Sequence, residues 1–163
     1  MFVAVDTNVV LLLAAEDDDT PDAWDTVNRR IKSVRFLVPP TVLLELVFKS
    51  RQEDDRIQQN ACKALAKVRA QRQLEPSIPS DLQQGIAQRV AERLRERGIL
   101  PWEERHDALL LAEAAVLNCG LLLTHDSHLR DLDFLRMSIL LRELDVTPPV
   151  IATPAEVARK FYD

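Results

Sequence analysis

The chain alternates short, unbroken apolar runs with longer stretches in which apolar residues recur about once per helical turn. Met1-Phe2-Val3-Ala4-Val5 is apolar throughout and runs into Asp6-Thr7-Asn8. Arg35-Phe36-Leu37-Val38-Pro39 and Leu121-Leu122-Leu123-Thr124 have the same form, and Val150-Ile151-Ala152 is a shorter version. Such runs suit strands buried on both faces of a parallel sheet. Between them the pattern becomes helical. Val9 to Ala15 opens a helix, and Thr20-Pro21 starts another over about residues 21–33. Thr41 can cap a helix carrying Val42, Leu43, Leu44, Leu46 and Val47. Residues 55–73 place Ile57, Ala61, Leu65 and Val68 one turn apart, until Pro76 and Pro79 interrupt. Ser80 caps a helix over 81–97 that Gly98 ends, and Ala108 to Asn118 is an almost wholly apolar helix that Gly120 ends. Residues 129–144 alternate leucine with charge and read as helical. Thr153-Pro154-Ala155-Glu156 is a capping box for a last helix. Buried strands separated by helices predict an α/β fold with parallel pairing.

Composition narrows this without redirecting it. A length of 163 residues is one ordinary domain, expected over 1–163, and 47% apolar with 29% charged residues indicates a globular chain. With 3 glycines, tight hairpins should be rare. No stretch approaches a membrane span of about 20 apolar residues. Asp6 interrupts the opening run too early for a secretory signal. Cys62 and Cys119 fall in apolar patterns without metal spacing, so reduced structural thiols in the cytoplasm are expected. The net charge of −5 does not advertise a nucleic-acid binder, but its distribution is uneven. Residues 49–105 carry 12 basic and 9 acidic side chains, whereas residues 1–48 carry 4 and 8. The basic middle reads as solvated helical faces, with phosphate contact as the sharper alternative. Glu16-Asp17-Asp18-Asp19 reads as a solvated loop, since it lacks the alternating ligands and glycine of a calcium loop.

The chemistry lies in four acids. In a parallel sheet, strand C-termini and the N-termini of the following helices share one edge, where open α/β folds bind ligands. Asp6 and Asp126 are expected at or just past strand ends, and Glu45 and Asp107 in the first turns of helices. Taken singly, each has a plain role as cap, dipole partner, helix start or turn residue. Taken together, they bring like charges to one edge, at a cost that a cation would offset. No lysine or arginine recurs beside all four. Hard divalent ions would meet the need, and a pair of them could activate a water and stabilise the leaving oxygen of a phosphodiester. Asn8 and Thr124 are read as groups that orient carboxylates. His106, His125 and His128 flank the site, so zinc is an alternative, although no close-spaced ligand pair falls on one helical face.

Val-Asp-Thr-Asn at 5–8, Leu-Leu-Glu-Leu at 43–46, His-Asp-Ala-Leu-Leu-Leu-Ala at 106–112 and Leu-Leu-Thr-His-Asp-Ser-His at 122–128 resemble, in order, the motifs of PIN domains. The Val-Ile-Ala-Thr-Pro-Ala-Glu segment at 150–156 also resembles the way many of these domains close. The resemblance implies a single Rossmann-like PIN domain, a short parallel sheet flanked by helices, with an acidic pocket for Mg²⁺ or Mn²⁺. It implies a metal-dependent endoribonuclease acting on RNA, of the VapC-like kind found as toxins with an antitoxin protein partner, and a homodimer. By motif, Asp6, Glu45, Asp107 and Asp126 match the acidic quartet, with Asn8 and Thr124 supporting it. Where some members carry a further aspartate, this chain has His128, read as an additional supporting group near a weaker or retuned second metal position. Residues 49–100 look like a helical extension beyond the smallest members, and 149–162 like the closing strand and helix. The alternative is a catalytically silent module on the same fold that binds RNA or protein.

Overall fold

Five strands, Phe2–Val5 (β1), Arg35–Val38 (β2), Leu74–Pro76 (β3), Cys119–Leu123 (β4) and Val150–Ala152 (β5), form one parallel sheet in the order β3-β2-β1-β4-β5. The computed structural model describes residues 1–15, 19–30, 33–70 and 74–160. Glu16, Asp17 and Asp18 of the acidic run, and the expected helical residues 71–73, lie outside the described residues. The central strand is the most apolar: Val3, Ala4 and Val5 are fully buried between Phe36 and Val38 of β2 and Leu122 and Leu123 of β4. This is the burial that continuous apolar runs require.

Helices connect the strands. They are Thr7–Ala15 (α1) and Asp19–Arg30 (α2) after β1, Pro40–Lys49 (α3) and Asp55–Ala70 (α4) after β2, and Asp81–Glu96 (α5) and Arg105–Val116 (α6) after β3. Ser127–Arg130 (α7) and Phe134–Glu143 (α8) follow β4, and Pro154–Arg159 (α9) follows β5. Helix α6 buries Ala108, Leu110, Leu111, Ala112, Ala114 and Ala115, as its apolar sequence predicts. Helix α5 begins with the capping box of Ser80 and Gln83, and α9 with that of Thr153 and Glu156. Trp24 of α2 stacks on Phe36 with ring centroids 3.8 Å apart, tying that helix to β2.

The structure departs from the sequence reading at several points. Strand β3 lies in the break between the helices expected over 55–73 and 81–97, where no strand was expected, and pairs with β2 at the sheet edge. It is only three residues long, and its Pro76 is tolerated because an edge strand has one side free. Residues 129–144 divide into α7 and α8, with Asp133 accepting from the Arg136 amide to start the second. Gly120 does not end α6. Asn118 takes the left-handed backbone there, at φ 55°. Gly120 is instead the extra residue of a bulge in β4, since Phe2 pairs with Cys119 and Val3 with Leu121. Helix α3 starts at Pro40 rather than after Thr41, which moves Glu45 from the first turn to the second. Cys62 is exposed, whereas Cys119 is buried.

The strand order places the site. From β1 the chain builds outward through β2 and β3, then returns to the other side of β1 as β4 and β5. The direction of build-up therefore reverses between β1 and β4. Such a reversal opens a crevice at the strand C-termini, because the connections leave in opposite directions.

Candidate active site

That crevice contains all four acids. Asp6, Thr7, Asn8, Leu11, Glu45, Lys49, His106, Asp107 and Asp126 line one cleft of about 240 Å³. Asp6 follows the last residue of β1, and its amide still donates to Leu123 O across the sheet at 2.9 Å. Asp126 follows β4, Glu45 comes from α3, and Asp107 from the first turn of α6.

Asp6 is buried and fully engaged. Its Oδ1 accepts from the Thr7 amide at 2.6 Å. Its Oδ2 accepts from the Asn8 side-chain amide at 2.7 Å and from Thr124 Oγ1 at 2.5 Å. Burial pushes its pKa up, the Thr124 and Thr7 hydrogen bonds pull it down, and Glu45 and Asp107 raise it further. Thr124, fully buried, links two acids: its hydroxyl donates to Asp6 and accepts from the Asp126 amide at 2.9 Å. Asn8 also donates to Thr124 Oγ1 at 3.2 Å and accepts from the His125 amide at 3.1 Å. The two residues thus fix the ends of β1 and β4 to one another. Asp126 Oδ1 accepts from the His128 amide at 2.7 Å and so caps α7, leaving its other oxygen outside that hydrogen bond.

Glu45 is held by three donors. Thr7 Oγ1 donates to its Oε2 at 2.5 Å, His106 Nε2 lies 3.0 Å from the same oxygen, and Lys49 Nζ lies 3.2 Å from Oε1. Burial works against its charge, but His106, Thr7 and Lys49 overcome it and hold the pKa near about 2. His106 in turn sits between two acids. Its Nδ1 is 3.7 Å from Asp107 Oδ1, an ion-pair distance rather than a hydrogen bond. Asp107 and then Glu45 push the imidazole pKa up to about 10 against partial burial. Both acids therefore favour the imidazolium form of this side chain. Two of the four acids, Glu45 and Asp107, have cationic neighbours, which tempers the uncompensated repulsion expected from sequence.

Three residues of this arrangement, Lys49, His106 and Thr7, have contacts with Glu45 that the sequence reading does not assign. Lys49 was legible, because it stands four residues after Glu45 on the same helix. His106 was noted only as flanking, and its bridging position follows from how α3 and α6 pack. Thr7 reaches Glu45 across 38 residues of chain, a contact that no local pattern announces. His128 lies beside Asp107, with Nδ1 3.9 Å from Oδ2, rather than among the hydrogen bonds that orient Asp6.

Comparison with known proteins agrees with this architecture. A family model described as PIN domain matches residues 3–135. Among solved structures, VapBC2 from Rickettsia felis, bound to a DNA fragment from its promoter, is similar with a TM-score of 0.64 and 15% identity, over 94% of this chain and 98% of that one. VapBC-1 from nontypeable Haemophilus influenzae gives a TM-score of 0.59 and 14% identity, again over 94% and 98%. At these identities the likeness is one of fold. No curated protein matches this chain by sequence.

Proposed function

This chain belongs to the PIN domain family, and we propose that it is a divalent-metal-dependent endoribonuclease that hydrolyses RNA phosphodiester bonds at the cleft of Asp6, Glu45, Asp107 and Asp126. The observation that carries this reading is the convergence of four carboxylates, from four separate elements, at the point where the sheet order reverses.

The residues present fit a hard divalent ion. Carboxylate oxygens dominate the cleft, and oxygen ligands are what Mg²⁺ and Mn²⁺ prefer. Asp6 is pushed toward protonation by its burial and its acidic neighbours, a stress that a nearby cation would relieve. Asp6, Glu45, Asp107 and Asp126 would hold the ion, with Thr124 and Asn8 keeping Asp6 oriented. When bound, Mg²⁺ or Mn²⁺ supplies charge stabilisation to the phosphodiester and an activated water. Lys49, on the wall of the cleft, is placed to meet a phosphate oxygen. His106 keeps Glu45 ionised and sets its orientation.

The same reading extends to partners. The two similar structures are VapBC pairs, which supports an antitoxin protein partner and a toxin role for this chain. Leu135 and Ile139, exposed on one face of α8, support a homodimer. No helix among the described residues is long and apolar enough to cross a membrane. With Cys62 and Cys119 both free, we place the protein in the cytoplasm.

The test is cleavage of single-stranded and structured RNA by the purified, tag-free chain with Mg²⁺ or Mn²⁺. Cutting that stops on adding EDTA is the expected result. RNA that is bound but never cut with either metal would identify a silent binding module instead.

A further inference from the structure

Beside the cleft, on the outer side of Asp107, lies a second set of donor atoms. His128 Nδ1 is 3.1 Å from Glu104 Oε1 and 3.9 Å from Asp107 Oδ2. One ligand atom from each of these three residues falls within 4.8 Å of the others. We propose that Glu104, Asp107 and His128 form a second cation position that takes a first-row transition ion in preference to Mg²⁺. The inference rests on the proposed metal role of the cleft through the shared residue Asp107.

Four observations carry it. First, the spacing suits a shared ion: with bonds of about 2.0–2.2 Å, neighbouring donors on a metal lie roughly 3.0–3.5 Å apart. The His128–Glu104 separation of 3.1 Å is already in that range, the His128–Asp107 separation of 3.9 Å exceeds it by a few tenths of an ångström, and all three donor atoms lie within 4.8 Å of one another. Second, Glu104 occupies the N-cap of α6 but its side chain makes no capping hydrogen bond. It turns toward His128 instead. Third, the two oxygens of Asp107 serve different neighbours. Oδ1 is the one near His106, and Oδ2 is the one near His128. A carboxylate so placed can bridge two adjacent ions. Fourth, His128 is positioned by the site itself, since its amide donates to Asp126 Oδ1. Its side chain is 55% exposed, which leaves room for water or phosphate in the remaining coordination positions.

The donor set decides the metal. Imidazole nitrogen favours manganese through zinc over magnesium, which prefers oxygen and holds its waters tightly. One nitrogen with two carboxylates therefore suits Mn²⁺, Co²⁺ or Zn²⁺. The plain alternative is a half-exposed ion pair between His128 and Glu104, which contributes little and ignores added metal.

Titration of the full, tag-free chain with Co²⁺, followed by visible absorption and calorimetry, separates the two. The proposal predicts two bound Co²⁺ in the wild type. His128→Asn should leave one, and Glu104→Gln should weaken the same step at least about tenfold. Mg²⁺ binding by His128→Asn should stay within about twofold of the wild type. Unchanged Co²⁺ stoichiometry and affinity in both variants would overturn the proposal, as would a single wild-type Co²⁺ lost only on Asp6→Asn. Circular dichroism checks folding, and if one variant is misfolded the other decides. The nuclease reading fails separately, if Asp6→Asn still cuts RNA at the wild-type rate.

Discussion

Asp6 and Glu113 are both buried acids, 6% and 7% exposed, and both are held by a threonine hydroxyl and a backbone amide. Their surroundings differ. Glu113 projects from the middle of α6 to the start of α3. There its Oε1 accepts from Thr41 Oγ1 at 2.8 Å and its Oε2 from the Thr41 amide at 3.1 Å. It closes a helix end from outside, beside a groove whose other walls include Pro40, Leu44, Ala87 and Leu109. Thr41, read from sequence as the cap of α3, is instead the residue being capped. Asp6 shares its cleft with three further acids from three other elements. Burial of a carboxylate is thus a structural device at one place and part of a candidate site at the other. What distinguishes them is the company of other acids, not the burial itself.

The comparison can be broken most sharply at the acids of the cleft. Asp107→Asn should lower the rate of RNA cleavage by at least about 100-fold, more than loss of a supporting group costs. Its melting temperature should stay close to that of the wild type, because relief of like-charge repulsion offsets the lost contact with His106. Loss of both activity and folding would move Asp107 to the structural side. Thr124→Val removes the hydroxyl that joins Asp6 to the Asp126 amide. It should weaken Mn²⁺ binding about 10–100-fold in calorimetry.

Glu113 should behave in the opposite way. Glu113→Ala leaves the Thr41 amide without its partner and should lower the unfolding free energy by about 1–3 kcal/mol, while cleavage stays within about twofold. Its pH dependence sharpens the point. Burial raises the Glu113 pKa above 4.5, although Thr41 opposes the shift. The folded state therefore holds this proton more tightly than the unfolded chain, and the residue's contribution to stability falls as pH rises through the window above 4.5. Glu113→Gln abolishes that loss. Denaturant melts across the window should show the variant gaining on the wild type as pH rises.

Sequence carried most of the fold because its strongest signals are local. The runs at 2–5, 35–38 and 121–123 are too short for helices and are bounded by polar or proline residues, which marks them as buried strands, and the caps at Ser80 and Thr153 mark helix starts directly. Strand β3 was hidden because Leu74-Glu75-Pro76 is too short to show a period, and only its pairing with β2 defines it. At the site, Asp6, Asp107 and Asp126 stand at strand ends and a helix start, which share an edge, whereas Glu45 reaches the cleft from the second turn of α3. The interactions that tune them did not. Thr7 meets Glu45, Thr124 meets Asp6, and Glu113 meets Thr41 across 38, 118 and 72 residues of chain. An acid inside an apolar helix was the available sign of Glu113. It did not say whether the partner would be a helix end or a ligand.

The most direct measurement sets the two buried acids against each other in one assay, as isosteric amides. RNA cleavage with Mn²⁺ should be lost in Asp6→Asn and retained in Glu113→Gln, with both variants folded by circular dichroism. Cleavage that survives in Asp6→Asn, or that disappears only in Glu113→Gln, would contradict the assignment of the cleft.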